Sequence, residues 1–368
     1  MSKPYAIISD QHFHNWSAFS SVSSNGVNSR LEILLQELRR CAKTLRAAGG
    51  NTIINAGDTF HVRGNIAPSV LNPVLEAHRD LISNGFEIVI VAGNHDLESK
   101  EATRVGSAIT ALEEVGCKVV NDYMTGLSVL DHVIVLPWQN NIEKLKEQIE
   151  EAAASEGGGK RLDDIDLILH APIDDVLPGI PPHGLTGDWL AERGFRRVFA
   201  GHYHHHKLVY DGSSSTYSTD VYSIGACAHH TWGDVGSKAG FLVVQEDGVK
   251  WFASHAPQFV EITSATDYAD IPLIADGNYV RVRINSSKQS DVEEMRSYLA
   301  DECGARGVVI LAQKDAAVAP RAGATVKAGA SLRVSVGDFI KARGFDHAEK
   351  LALRCDGILA DAQTAMEA

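Results

Sequence analysis

Residues 87–96 have the sequence EIVIVAGNHD, in which an apolar run is followed at once by Gly-Asn-His-Asp. A short apolar run that ends at a turn signal predicts a buried strand. The same arrangement occurs twice upstream, as TIINAGD at residues 52–58 and as YAIISDQH at residues 5–12. Each of the three predicted strands therefore ends in a turn that carries at least one carboxylate.

The two segments between these strands have the apolar spacing of helices. Residues 28–48 and residues 69–84 repeat apolar side chains every three or four positions, and Gly49 and Gly85 follow them as helix stops. The resulting strand–helix–strand alternation predicts an α/β fold with parallel strand pairs. In such a sheet the carboxyl ends of the strands meet at one edge, where functional groups collect.

The overall composition is that of a globular protein. The chain has 368 residues, of which 44% are hydrophobic and 22% charged, and at ~150 residues per domain this length predicts two domains. No apolar run reaches the ~18 residues of a membrane helix, and the amino terminus lacks a signal-peptide core. Five scattered cysteines without a CxxC pair argue against disulfides and against a cysteine zinc site. We therefore expect a cytoplasmic protein without a membrane segment.

The charge is unevenly distributed along the chain. The formal net charge of −13 argues at first sight against a nucleic-acid partner. Residues 1–276 carry 21 basic and 35 acidic side chains, however, whereas residues 277–368 carry 13 and 12. Within residues 304–343, phosphate contacts and a solvated loop face are both open interpretations of the basic side chains. These side chains are Arg306, Lys314, Arg321, Lys327, Arg333, Lys341 and Arg343.

Side chains that bind metals follow five of the predicted strands. Carboxylate, amide and imidazole donors without thiolates suit Mn²⁺, Fe²⁺ or Zn²⁺. There are more candidates than one ion needs, which predicts two ions that share a carboxylate, an arrangement suited to phosphoester hydrolysis. The strand-end residues are Asp10, His12, Asp58, Asn94, His95, Asp96, His170, His202 and His204.

The order of these motifs resembles that of the calcineurin-like metallophosphoesterase superfamily over about residues 5–260. The resemblance implies the four-layer α/β (α+β sandwich) fold of that superfamily. It implies that His95 lies over the phosphate, where it stabilises charge or protonates the leaving oxygen, and that Asp96 orients His95. The implied ligands are Asp10, His12 and His204 for one metal, Asn94, His170 and His202 for the other, and Asp58 as the bridge.

A second set of residues resembles the SbcD-like double-strand-break repair nucleases within that superfamily. Residues 57–63, GDTFHVR, followed by Pro68-Ser69, are similar to the Gly-Asp-x-Phe-[His/Asp]-x-x-Arg-Pro-Ser pattern of that branch, apart from an insertion at residues 64–67. His61 matches a residue that helps to position DNA for exonuclease cleavage in some members. Residues 222–241 are also similar to that branch.

This resemblance implies a DNA exonuclease or endonuclease of DNA repair, recombination or phage DNA processing. It implies two divalent ions, with Mn preferred and Mg, Fe or Zn open, a homodimer, and a separate SbcC-like ATPase subunit. The chain has no GxxxxGK[ST] phosphate loop of its own. The expected domains are a metallophosphoesterase domain at 1–264, a DNA-capping-like βαβ domain at 277–336, and a helical tail at 337–368 that starts at Gly337-Asp338 and could dock on the ATPase.

Two other functions stay open at this point. The first is a phosphomonoesterase, acting on proteins or nucleotides, and the second is a non-enzymatic scaffold that kept the fold and lost the chemistry. The complete ligand set argues against the scaffold. The roles of His205, His206, His229 and His230 are also open, since they flank the ligand motifs without belonging to them.

Overall fold

The computed structural model describes residues 3–98, 106–122, 130–154, 161–286, 288–312, 332–343, 345 and 347–367. Of the basic side chains singled out above, Lys314, Arg321, Lys327 and the side chain of Arg333 lie outside the described residues. Within the described ranges, no helix combines the length and the apolar character that crossing a bilayer requires.

The described strands and α-helices alternate from residue 5 to residue 91 and again from residue 133 to residue 201. The strands are β1 (Tyr5–Ile8), β2 (Thr52–Asn55), β3 (Glu87–Val91), β4 (Lys118–Val120), β5 (Val133–Leu136), β6 (Asp166–His170), β7 (Arg197–Gly201), β8 (Lys207–Tyr210), β9 (Asp220–Ser223), β10 (Gly240–Gln245), β11 (Gly248–Ala253), β12 (Phe259–Ile262), β13 (Tyr279–Ile284) and β14 (Gly307–Ala312). The α-helices are α1 (Ser29–Ala47), α2 (Pro68–Ser83), α3 (Ile142–Ala154), α4 (Gly187–Ala191), α5 (Ile271–Ala275), α6 (Gln289–Ser297), α7 (Leu332–Arg343) and α8 (Ala348–Glu367).

The strands form two large sheets and a small one. The first sheet has the order β11-β10-β1-β2-β3-β4, and its strands β1 to β4 are parallel. The second has the order β5-β6-β7-β9-β8 and is parallel except for β8. The third has the order β12-β13-β14. The predicted α/β fold with parallel pairs is confirmed.

The two large sheets pack face to face with helices on their outer faces. Apolar side chains of both sheets, including Ile7, Ile54, Ile168 and Phe199, share one buried cluster. A second cluster joins α1 and α2 to the outer face of the first sheet, and a third joins α3 and α4 to the outer face of the second. This helix–sheet–sheet–helix arrangement is the predicted four-layer sandwich.

A polar contact joins the two sheets at the amino ends of their strands. The hydroxyl of Tyr5, the first residue of β1, donates to Oδ2 of Asp166, the first residue of β6, at 2.7 Å. Arg196 donates to both oxygens of the same carboxylate. Asp166 is fully buried, so these partners supply the hydrogen bonds that a buried charge requires.

Parallel register brings the carboxyl ends of the strands to a common edge. Ile8 pairs with Asn55, Asn55 pairs with Ile90, and in the second sheet His170 pairs with Gly201. Helix α1, which connects β1 to β2, begins where the side chain of Asn28 accepts hydrogen bonds from the backbone N–H groups of Arg30 and Leu31. The turns after β1, β2, β3, β6 and β7 therefore face one another.

The chain divides into two compact units, one of residues 1–283 and 293–311 and one of residues 284–292 and 312–368. In the first unit, β12 adds residues 259–262 to the small sheet by pairing in parallel with β13. In the second unit, α7 packs against α8. Helix α7 begins at Leu332 instead of Gly337, because one glycine costs a helix only about 1 kcal/mol and does not force it to start there. The capping and docking functions expected of these segments stay predictions.

Candidate metal centre

Six of the nine predicted strand-end side chains line one cleft of about 220 Å³, and Asp10, Asp96 and His170 do not belong to its lining. The turn after β1 supplies Asp10 and His12, and the turn after β3 supplies Asn94 and His95. The cleft is lined by His12, Trp16, Asp58, His61, Asn94, His95, His202, His204, His230 and Thr231. His12 and His204, 192 positions apart in sequence, therefore meet in this cleft.

Asp10, His12 and His204 form the first ligand cluster, in which one potential ligand atom of each lies within 4.8 Å of the others. Nε2 of His12 is 3.2 Å from Nε2 of His204, which is 4.0 Å from Oδ1 of Asp10. Oδ2 of Asp10 accepts hydrogen bonds from Ser9 Oγ and from the backbone N–H of His202. Oδ1 is buried and has no hydrogen-bond partner among the described residues, so its lone pairs are available to a cation.

Asp58, His170 and His202 form the second cluster, with the same 4.8 Å limit. Oδ1 of Asn94 belongs to it, at 3.1 Å from Nε2 of His170 and 3.0 Å from Nδ1 of His202. Nδ1 of His170 donates to the carbonyl oxygen of Ala56 at 2.8 Å. That bond fixes the ring so that Nε2 faces the cluster.

Asp58 lies between the two clusters. Its Oδ2 is 3.6 Å from Nε2 of His12, and its Oδ1 is 3.5 Å from Nε2 of His170. Oδ1 also accepts from the backbone N–H of His95 at 2.8 Å. One carboxylate thus presents one oxygen to each cluster.

The electrostatics of the cleft combine burial with the close approach of opposite charges. Burial raises the pKa of Asp10. Burial alone would raise the pKa of Asp58, but the neighbouring imidazoles, His170 foremost, lower it below its ordinary value. Burial lowers the pKa of His12 and lowers that of His202 to about 3. Burial disfavours a charged His170, yet Asp58 raises the pKa of His170 to about 9. Divalent cations bind neutral imidazoles and ionised carboxylates, so an ion at the second cluster would displace the proton that His170 holds beside Asp58.

Backbone strain is concentrated at this centre. Four candidate ligands adopt left-handed φ angles that are unfavourable for residues with a side chain: Asp10 at 50°, His12 at 44°, Asp58 at 53° and His202 at 104°. Such conformations cost of order 1–3 kcal/mol each and persist where the surrounding structure holds them. The surrounding structure therefore holds these four residues in backbone conformations that are unfavourable by themselves.

Two glycines leave room for ligand side chains. Gly57 has φ +105°, and a Cβ there would overlap the ring of His170. A Cβ at Gly93 would overlap the carboxylate of Asp58. The Gly-Asp and Gly-Asn-His-Asp motifs thus need their glycines for close packing as well as for the turn.

His95 lies beside the first cluster, with its ring centre 4.8 Å from that of His12. Its Nδ1 donates to the carbonyl oxygen of His61 at 2.6 Å, and the two rings stack at 5.5 Å and 16°. Burial lowers the pKa of His61 to about 4, with further effects from its histidine neighbours. The residue predicted to position DNA thus also orients the predicted catalytic imidazole through its backbone.

The structure gives Asp96 backbone partners, and its expected role in orienting His95 stays a prediction. Both oxygens of Asp96 accept backbone hydrogen bonds, from Gly93 at 2.9 Å, Thr59 at 3.2 Å and Phe60 at 3.1 Å. The carboxylate is fully buried, and these N–H groups are its partners in place of the His95 ring. Asp96 therefore joins the turn after β2 to the turn after β3.

The sequence did not single out Asp234 as a functional residue. Its Oδ1 accepts from Nδ1 of His204 at 2.7 Å, and its Oδ2 accepts from the backbone N–H groups of His230 and Thr231, both at 2.8 Å. Burial would raise the pKa of Asp234, but the hydrogen bond from His204 lowers it. A carboxylate that orients a ligand histidine is common in metal sites. Asp234 lies in a short 3-10 turn rather than at the end of a strand, so strand-end reasoning could not find it.

The four histidines with open roles lie around the ligands. Nε2 of His230 donates to the carbonyl oxygen of Asp10 at 2.8 Å, and Nε2 of His229 donates to that of Ser237 at 2.9 Å. Nδ1 of His205 accepts from the backbone N–H of Lys238. The ring of His206 stacks on Trp251 at 5.3 Å and 4°. Of the four, His230 alone lines the described cleft.

Comparisons with known proteins found, among others, a curated relative from a bacteriophage. Exonuclease subunit 1 of Enterobacteria phage T4 is 24% identical to this chain over 177 residues, which are 47% of this chain and 49% of that protein. The chain thus spans about half the length of the curated relative it matches.

Solved structures were also compared with the chain. A dimetal phosphatase from Danio rerio aligns with a TM-score of 0.36 and 10% identity over 65% of this chain and 91% of its own. Nuclease MPE from Pseudomonas putida aligns with a TM-score of 0.26 and 19% identity over 56% of this chain and 64% of its own.

The sequence profile described as calcineurin-like phosphoesterase matches residues 3–206. That range is more than half of the chain and contains both ligand clusters with the bridging aspartate. The chain therefore belongs to the calcineurin-like phosphoesterase family.

Proposed function

We propose that this protein is a two-metal-dependent phosphodiesterase that cleaves DNA as an exonuclease or endonuclease. The observation that carries the proposal is the position of Asp58, whose two oxygens face two separate ligand clusters. Asp10, His12 and His204 would hold one divalent ion, and Asn94, His170 and His202 the other. Two ions held in this way neutralise a phosphodiester and activate water for attack on it.

The side chains of the centre fit this pair of ions. Oδ1 of Asp10 is a buried carboxylate oxygen without a described partner, and an uncompensated site of this kind is suited to a cation. The donors are carboxylate and amide oxygens and imidazole nitrogens, a set that suits Mn²⁺ and accommodates Mg²⁺, Fe²⁺ or Zn²⁺. On the basis of this donor set, we propose Mn²⁺ as the physiological metal ion of the protein.

His95 is the proposed proton donor. Because its Nδ1 donates to the carbonyl oxygen of His61, its Nε2 is the nitrogen left for substrate. An imidazolium at that place stabilises the charge of the phosphate and protonates the leaving oxygen. His61 and Trp16, whose rings lie 4.4 Å apart, form an aromatic wall on the same side of the cleft, where a nucleotide can be positioned.

DNA as the substrate is supported by two observations. The relative from phage T4 is named as an exonuclease subunit, and residues 57–63 resemble the SbcD-like pattern. That name also supports a partner, which we propose to be an SbcC-like ATPase subunit, and we propose a homodimer. Of the basic side chains of residues 304–343, Arg306, Lys341 and Arg343 are described and exposed, as phosphate contacts require.

The experiment that tests the proposal is an assay of the purified protein loaded with Mn²⁺. Linear duplex, hairpin and single-stranded DNA are compared with a phosphomonoester. Asp58→Asn and His95→Asn should abolish DNA cleavage, whereas His255→Asn, a change at an exposed histidine outside the cleft, should retain it. Faster turnover of the phosphomonoester than of DNA would contradict the nuclease function and favour a phosphatase. If the protein bound no divalent ion, the result would favour the non-enzymatic scaffold.

A further inference from the structure

Arg30 lies in the interior of the protein beside the candidate metal centre. The residue is only 5% exposed although it carries a full charge. Its Nη2 donates to the carbonyl oxygens of His230 at 2.7 Å and His229 at 3.3 Å. Charge-assisted hydrogen bonds of this kind are stronger than neutral ones, and they hold the 229–230 backbone against helix α1.

Three aromatic rings surround the same guanidinium. Its central carbon lies 5.3 Å from the ring centre of Trp16, 5.1 Å from that of Phe259 and 5.5 Å from that of Tyr279. Cation–π contacts at this distance offset part of the cost of removing the charge from water. Phe259 begins β12 and Tyr279 begins β13, so Arg30 also connects the small sheet to the centre.

His230 connects Arg30 to two ligands of the first cluster. Its Nε2 donates to the carbonyl oxygen of Asp10 at 2.8 Å. Its backbone N–H donates to Asp234, and the other oxygen of Asp234 accepts from His204. A displacement of the His230 backbone would therefore move the supports of both ligands together.

Trp16 provides the connection to the third ligand of that cluster. Its ring stacks on that of His230 at 5.5 Å and 18°, and its Nε1 donates to the carbonyl oxygen of His12 at 3.3 Å. Arg30 lies over the same indole. Every ligand of the first cluster is thus linked to this one cation through described contacts.

The second cluster has different supports. His170 is held by the carbonyl oxygen of Ala56, and His202 stacks on Trp138 at 5.1 Å and 26°. Among the described contacts, Arg30 touches none of these groups directly, and His202 is linked to it only through Asp10. The two clusters can therefore respond differently to a change at Arg30.

We propose that Arg30 is a positioning residue for the ion site formed by Asp10, His12 and His204. It acts through His230 and Trp16 on the first site, and it reaches the second site only indirectly, through Asp58 and the hydrogen bond from His202 to Asp10. This inference rests on the proposed two-ion function. It adds to that function a specific support for the first ion site, Arg30, which also contacts the small sheet.

The test is Mn²⁺ binding to the full chain, followed by titration calorimetry, in Arg30→Met and Arg30→Lys. We expect Arg30→Met to weaken one of two binding events by about 10- to 100-fold and to change the other much less, as loss of an outer support does in metal sites. Arg30→Lys should recover part of the loss, because it keeps the charge without the planar fork.

Arg40→Met is the matched control on the same helix. Arg40 likewise donates to a backbone carbonyl, that of Ala253 at 2.7 Å, and lies 4.6 Å from the ring centre of Phe241. It has no described contact with a ligand. We expect this variant to lose thermal stability and to bind both ions as the native chain does.

Two results would overturn the role of Arg30: native affinity for both ions in its variants, or equal weakening of both sites. If Arg30→Met does not fold, Arg30→Lys decides between these outcomes. Failure of the native chain to bind two ions would instead contradict the proposed function, so the two failures are distinguishable.

Discussion

Oδ1 of Asp234 lies 2.7 Å from Nδ1 of His204. This pairing places the proton of the imidazole on Nδ1 and turns Nε2 toward Asp10 and His12. The ring orientation of a ligand on the second sheet is thus set by a residue 30 positions further along the chain.

Replacing Asp234 by Asn should raise the Mn²⁺ concentration needed for half-maximal cleavage. Asn keeps the shape but removes the charge that stabilises the His204 N–H, and losses of this kind are about 10- to 100-fold in metal affinity. The measurement is a Mn²⁺ titration of DNA cleavage. Asp188→Asn, at an exposed carboxylate in the first turn of α4, is the control, and equal Mn²⁺ requirements in both variants would contradict the role of Asp234.

Replacing Asp96 by Asn should lower the free energy of unfolding of the protein and also slow its turnover. Three backbone N–H groups donate to Asp96, and the NH₂ of Asn would face at least one of them. An unsatisfied buried donor costs about 1–3 kcal/mol. Urea unfolding measures the loss. His95→Asn should lose turnover at native stability, and native stability in Asp96→Asn would exclude the structural role assigned to this carboxylate.

Replacing Gly57 by Ala should abolish ion binding at the second cluster. The new Cβ would overlap the His170 ring at a residue with φ +105°. Gly85→Ala is a matched control, since Gly85 also has a positive φ, +80°, but has open space around its Cβ position. Calorimetry with Mn²⁺ should show two ions for Gly85→Ala and fewer for Gly57→Ala. Two ions in both would refute the steric argument.

Acid should destabilise the protein through His78. This imidazole is fully buried in α2, its Nδ1 donates to the carbonyl oxygen of Val74 at 2.7 Å, and burial lowers the pKa of His78 to about 4. The unfolded chain takes up the proton near pH ~6.5, so the stabilisation is complete above that pH and is lost as the pH falls toward 4.

The expected loss over that interval is about 3 kcal/mol in the free energy of unfolding. Urea unfolding of His78→Leu should show a weaker dependence on pH than that of the native chain between pH ~6.5 and ~4. Parallel pH profiles for the two proteins would mean that His78 does not titrate on unfolding.

The strand-end ligands were predictable because their signal is local. An apolar run followed by a polar turn marks both the strand and the place where its last side chains lie, as at Asp10 and Asp58. Parallel pairing then brings such turns together without further information. The α/β fold with parallel pairs followed from the same alternation of strands and helices, whereas the four layers were implied by the resemblance to the metallophosphoesterase superfamily.

Other parts of the centre depend on contacts that no local pattern records. Asp234 meets His204 only because a loop after β9 folds back over β7 and β1. Asp96 stands next to His95 in sequence, yet its side chain points to the backbone of Thr59 and Phe60. Adjacency in sequence suggested His95 as the partner of Asp96, whereas the described hydrogen bonds of its carboxylate come from backbone N–H groups.

The contact between Tyr5 and Asp166 joins the two sheets at the amino ends of their strands, and the ligand clusters join them again at the carboxyl ends. Asp58 belongs to the first sheet and His170 to the second, so an ion held by both is a crosslink between layers. Such a crosslink would add to the buried apolar cluster that already joins the two sheets. Removal of the ion by a chelator should therefore lower the free energy of unfolding of both layers together.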